Sequence, residues 1–148
     1  MKTILVYPTF ILKTKDNEDY PFLVFIPDLD IITEAKDFTD GIEMARDAIG
    51  ITVISMEDNK ELVPDPSSSE IAFEKLKEQA FDMDVSNVIM TYVDVDIMEY
   101  RRKTDTRSVR KNVTIPSWLN YEAEKAGINV SRVLQDALIS TLGVTKRI

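Results

Sequence analysis

Cysteine and histidine are both missing from these 148 residues, and glycine occurs only four times. Without them there are no disulfides, no Cys/His zinc sites, no Ser-His or Cys-His nucleophilic pairs and no imidazole acid/base chemistry. Carboxylates, Lys, Tyr and the backbone are the only catalytic means left. A Gly-rich phosphate loop, internal repeats and low-complexity tracts are also absent. No apolar run approaches the ~20 residues that span a bilayer. The run entered from Met1-Lys2-Thr3-Ile4 ends at Pro8 without a cleavage-type signal, so a cytoplasmic protein that does not engage membranes is expected.

What is present is charge, unevenly placed. Residues 1–100 hold 8 Lys/Arg against 22 Asp/Glu, net −14, and residues 101–148 hold 10 against 4, net +6. A basic segment suits a polyanion, because each cation that neutralises a phosphate releases condensed counterions. An acidic one suits a basic protein, through steering and complementarity. The break predicts an acidic domain over 1–100, a linker over 101–107 and a basic domain over 108–148. The second is too small to bury a comfortable core alone and is expected to oligomerise.

The acidic part reads as strands, helices and a final strand. Runs Thr3–Tyr7 and Phe22–Ile26 flank the polar stretch Lys13–Asp19, which predicts a hairpin, and Ile31-Ile32-Thr33 adds a short strand. A helix with Thr39 as N-cap follows, its apolar face formed by Ile42, Ala45, Ile49, Val53 and Met56. Beyond the Pro64/Pro66 loop, Ser67 and Glu70 have capping-box spacing for a second helix through Phe73, Leu76 and Ala80. The apolar run Val88–Val93 predicts a last strand, buried on both faces. The pairs Asp28/Asp30, Asp82/Asp84 and Asp94/Asp96 have the spacing of a metal nuclease, but among 22 acids such pairs arise easily. Neither a metal nor a cofactor is expected.

The basic part shows one strand and two helices. Val113 and Ile115 alternate with Asn112 and Thr114, and Pro116 ends the strand. Ser117 is placed to cap a helix carrying Leu119, Ala123 and Ala126, with Gly127 at its left-handed end. A second helix from Asn129 repeats apolar residues at Val130, Val133, Leu134, Ala137, Leu138, Thr141 and Leu142. One strand cannot pair with itself. Two chains together would complete an antiparallel ribbon and cover the helix faces.

In order and spacing, residues 108–144 resemble a ribbon-helix-helix DNA-binding domain. The resemblance implies base readout in the major groove by Arg110, Asn112 and Thr114, with Lys111 and the helix start Asn129-Val130-Ser131 on phosphate. Phe25-Ile26-Pro27-Asp28-Leu29, Thr33, Asp37-Phe38-Thr39, the Ile42–Val53 helix and Leu62-Val63-Pro64-Asp65-Pro66-Ser67 are similar to the HicB antitoxin family. Asp30-Ile31-Ile32 departs from the small Gly-Cys-type turn common there. This likeness implies an α+β fold: an N-terminal, partly degraded RNase H-like sheet-and-helix domain and a C-terminal ribbon-helix-helix dimerisation domain. It implies a non-enzymatic antitoxin that blocks a HicA-type RNA-cleaving toxin and represses its own operon by binding operator DNA. A homodimer through the C-terminal domain is expected, and a tetramer if the acidic domains also associate. The clustered acids Asp16, Asp19, Asp28, Asp30 and Glu34 are the expected toxin-facing charges. The alternatives are a ribbon-helix-helix regulator sensing a small ligand and, behind it, a metal-dependent nuclease.

Overall fold

The structure is a computed structural model, and residues 3–146 are described. The chain divides into two compact units, Met1–Thr104 and Asp105–Ile148. On this division the units carry 11 Lys/Arg against 22 Asp/Glu, net −11, and 7 against 4, net +3. The contrast in sign persists, reduced because Arg101, Arg102 and Lys103 belong to the acidic unit.

The first unit is built on a four-stranded antiparallel sheet in the order β3-β2-β1-β4. β1 spans Ile4–Lys13, β2 Phe22–Ile26, β3 Ile31–Ala35 and β4 Ile89–Asp96. β1 does not stop at Pro8. It continues six residues further in length than Tyr7 would allow, because at Pro8 it is laddered to β4 and its register with β2 begins only at Phe10. A proline lacking N–H is tolerated where one side of the strand is unpaired. Between β2 and β3, Pro27–Leu29 forms a 3₁₀ turn closed by Asp30 in the left-handed region, φ +56°, the corner where glycine is commonest.

Helix α1, Phe38–Asp58, is capped by Asp37 rather than Thr39. The Asp37 carboxylate accepts from the Asp40 amide at 2.8 Å, while Asp40 accepts from the Lys36 amide at 2.8 Å, so the entry is fixed from both directions. Helix α2, Ser69–Ala80, is capped by Ser68, whose Oγ accepts from the Ile71 amide at 3.3 Å.

The helices cover opposite faces of the sheet. Ala45, Ile49 and Val53 of α1 pack with Tyr7, Ile11, Val24, Ile26, Val93 and Val95. Ala72, Leu76 and Ala80 of α2 pack with Phe10, Leu12 and Phe25 on the other side. The period-2 alternation of the strands thus feeds two cores. β4 is an edge strand and not a doubly buried one: α1 covers Val93 and Val95, whereas Tyr92 and Asp94 of its other face are exposed.

A helix that the sequence pattern did not predict, α3 over Ile97–Thr104, follows β4 directly. Its Tyr100 ring lies over Gly50 of α1, where a Cβ would fall 2.8 Å from the ring carbons. Arg101 clamps the same junction, donating to Glu57 at 2.9 Å and Asp58 at 3.0 Å. The segment assigned to the linker therefore belongs in part to the first unit.

The second unit holds α4, Ser117–Ala126, and α5, Val130–Leu142. Pro116, not Ser117, is the N-cap residue of α4, and Ser117 is its first helical residue. Gly127 (φ +68°) and Gly143 (φ +66°) end the two helices in the left-handed conformation, each returning an amide to the last-turn carbonyls. Asn129 caps α5, its side chain accepting from the Arg132 amide at 3.1 Å.

Candidate interaction surfaces

The acidic unit is tied together by one buried carboxylate. Asp28 sits in the 3₁₀ turn with its side chain fully out of solvent. It accepts from the Ser67 amide at 2.8 Å, the Ser67 hydroxyl at 2.6 Å and Lys75 Nζ at 2.9 Å. Burial pushes this carboxyl up, but the Ser67 bonds and the Lys75 ammonium outweigh it and hold Asp28 below the ordinary carboxylate range. Tyr7 Oη donates to the Pro64 carbonyl at 2.7 Å, pinning the same loop to the sheet. Burial, with the charges of Asp28 and Asp65, raises the Tyr7 phenol to about 12, so it remains a donor. These bonds fasten the 59–68 loop and α2 to the sheet. They also explain why Ser67 does not cap α2: its hydroxyl and amide are both engaged by Asp28.

Asp28 is consequently a structural anchor and is withdrawn from the surface charges expected to face a partner. The other four acids of that set are exposed. Asp16 and Asp19 lie in the hairpin turn, where Asn17 Oδ1 accepts from the Asp19 and Tyr20 amides at 3.0 and 3.1 Å. Asp30 accepts from Gln79 Nε2 at 3.0 Å, and Glu34 projects from β3.

The paired acids have local partners too. Asp94 meets Arg46 of α1 at 3.0 Å, and Asp96 Oδ1 accepts from the Glu99 amide at 3.1 Å at the start of α3. Asp84 accepts from the Ser86 amide at 3.0 Å. Among the described residues no group of three or more such side chains is placed to hold a metal ion. A cleft of about 530 Å³ between α1, β4 and α3 is walled by Glu43, Asp47, Asp94, Asp96 and Glu99 with Arg46. So charged a lining is unlike the largely apolar walls of ordinary small-molecule sites.

In the basic unit neither helix buries a single residue. Val133 is 55 % exposed and Leu142 69 %, although both lie on the apolar face of α5. Residues 105–116 form no strand in the single chain, and Arg110, Lys111, Asn112 and Thr114 are all exposed. The expected strand needs a ladder partner, and one copy supplies none. Asn129, Val130 and Ser131 open α5 at the surface, with the Val130 and Ser131 amides in its first turn. Arg107, by contrast, is engaged locally: it forks onto Asp105 at 2.7–3.1 Å, which pulls the Asp105 carboxyl down to about 2.

Comparison with known proteins places these surfaces in context. The chain is similar in fold to a toxin-antitoxin complex chain from Streptococcus pneumoniae, at 24 % identity over 93 % of this chain and 99 % of that one, with a TM-score of 0.57. It is also similar to the antitoxin HicB of Burkholderia pseudomallei, at 20 % identity over 94 % and 97 % of the two chains, with a TM-score of 0.45. No curated protein sequence matches. Among the described residues no helix is long and apolar enough to cross a membrane. The family model for HicB-like antitoxins of bacterial toxin-antitoxin systems matches residues 7–136, taking in the sheet, the Asp28 anchor and most of the basic unit, and the chain therefore belongs to that family.

Proposed function

We propose that the acidic unit binds and blocks a small basic RNA-cleaving toxin of the HicA type, and that the basic unit dimerises as a ribbon-helix-helix domain which represses the operon by binding operator DNA. The observation carrying this assignment is the opposition of charge between two separate compact units, net −11 and net +3. Opposite charges call for opposite partners: a site built for RNA phosphates on one side, DNA phosphates on the other. The protein itself is non-enzymatic, and the acidic unit keeps the partly degraded RNase H-like fold as a binding scaffold.

In the DNA-bound dimer, residues 110–114 pair with their copy across a two-fold axis and enter the major groove. Arg110, Asn112 and Thr114 face the bases, and Lys111 with the Asn129-Val130-Ser131 helix start holds phosphate. All seven are exposed, as this role requires. On the toxin side, Asp16, Asp19, Asp30 and Glu34 act as steering charges, which raise the association rate more than the lifetime of the complex.

Asn112→Ala and Arg110→Ala should each weaken a specific operator by about 1–3 kcal/mol and relax base preference at one position, with Thr114→Ala milder. Lys111→Ala should weaken all duplexes alike and reduce the salt dependence. Fluorescence anisotropy on operator and scrambled duplex over a salt series distinguishes these outcomes. Equal losses on both duplexes for Arg110, Asn112 and Thr114 would remove base readout from the strand.

A further inference from the structure

The two faces of the sheet are covered to different extents. By the β1–β4 register, Ile4 stands beside Asp96, Val6 beside Asp94, Pro8 beside Tyr92 and Phe10 beside Met90. Alternation puts all of these on the side that carries the α2 core, since Phe10 and Leu12 pack under α2 while Tyr7 and Ile11 pack under α1. Helix α2 covers only the Phe10–Leu12 end. At the other end Ile4 is 56 % exposed, Val6 39 % and Tyr92 54 %, and the Asp94 side chain beside them 63 %. The result is an aliphatic-aromatic strip with two carboxylates along its edge, on a flat, hydrogen-bonded platform.

We propose that this open half of the sheet, Ile4, Val6 and Tyr92 bordered by Asp94 and Asp96, is the surface on which the basic toxin docks. The assignment rests on the toxin-binding function proposed above and locates its contact. Charge complementarity selects the occupant. A second copy of this chain stacked on the strip would oppose Asp94 and Asp96 to the same two acids, and like charges face to face are disfavoured. A cationic protein meets a carboxylate pair with its own Lys or Arg and buries Tyr92, the residue type that most often anchors an interface. The steering acids of the hairpin then govern arrival, and the strip governs residence.

The test uses the full-length chain and the HicA-type protein encoded beside it, with binding followed by surface plasmon resonance. Tyr92→Ala should raise Kd by about 30-fold, mostly through a faster koff, and Val6→Ala by several-fold. Asp94→Asn with Asp96→Asn should weaken binding most at low salt, while Asp16→Lys with Asp19→Lys should slow association and leave koff unchanged. Tyr92 is exposed, so an unaltered melting curve should accompany its loss of binding. Wild-type Kd and koff in Tyr92→Ala and Val6→Ala, with the parent chain binding normally, would overturn the strip as the contact and leave the antitoxin function standing. A drop in solution mass for Tyr92→Ala, seen by light scattering, would show that the strip joins copies of this chain and would equally overturn it. A parent chain that does not bind the toxin at all would overturn both.

Discussion

Truncation after Thr104 should turn the protein from a dimer or larger assembly into a monomer and abolish its retention of operator DNA. Removing residues 105–148 takes away α5 with Val133, Leu138 and Leu142, an apolar face that nothing within the chain covers. At about 25 cal/mol per Å² of apolar surface removed from water, an interlocked pair of such helices supplies the largest association energy on offer here. The same cut removes the strand residues and the helix start assigned to DNA. Light scattering should show the halved mass, and an electrophoretic shift assay should show operator DNA running free. An unchanged mass would place the main self-association in the acidic unit instead.

Asp28→Ala should be the most damaging single substitution in the acidic unit, lowering its stability by about 2–4 kcal/mol. It strands the Ser67 amide and hydroxyl and the Lys75 ammonium, which lose the carboxylate they converge on. Lys75 is itself 44 % exposed, so water compensates part of the loss, and the lower end of the range for breaking buried pairs applies. The pH dependence has a definite sign. Because the folded-state carboxyl titrates below its unfolded value, its contribution is fully present above the unfolded pKa, ~3.9, and is lost as pH falls through the lower folded value. Urea unfolding at neutral pH and under acid should therefore show the parent chain losing more stability than the variant as the acid range is entered. Equal losses across that range would mean that Asp28 is not the coupled group.

Where local pattern and tertiary partner agree, the sequence is directly readable. The Phe22–Ile26 strand, the apolar stripe of α1 and both glycine helix ends in the basic unit are local signals, and each stands where the pattern puts it. The misses share a cause: a distant residue decides. Ser67 has the spacing of a cap but is claimed by Asp28, 39 positions away, leaving the cap to its neighbour Ser68. Pro8 looks like a strand terminator until β4 is placed against one side of it. The Val88–Val93 run reads as doubly buried, yet α2 stops short of it. Helix α3 has a short, strongly charged sequence whose stability depends on Tyr100 meeting Gly50 and Arg101 meeting Glu57 and Asp58, pairings that periodicity does not reveal. The ribbon strand depends on a partner of another kind, a second chain. Of the acids picked out by their clustering, only Asp28 turns inward, and a neighbouring Pro27 and Leu29 in a buried turn were its one local sign.

The most direct test of the antitoxin function is RNA cleavage by the purified HicA-type toxin, measured with increasing amounts of residues 1–104. The acidic unit has its own two cores and should fold alone. Cleavage should fall to background as the unit approaches stoichiometric equivalence with the toxin, with no requirement for residues 105–148. Undiminished cleavage at a large excess of folded residues 1–104 would contradict the assignment of neutralisation to the acidic unit.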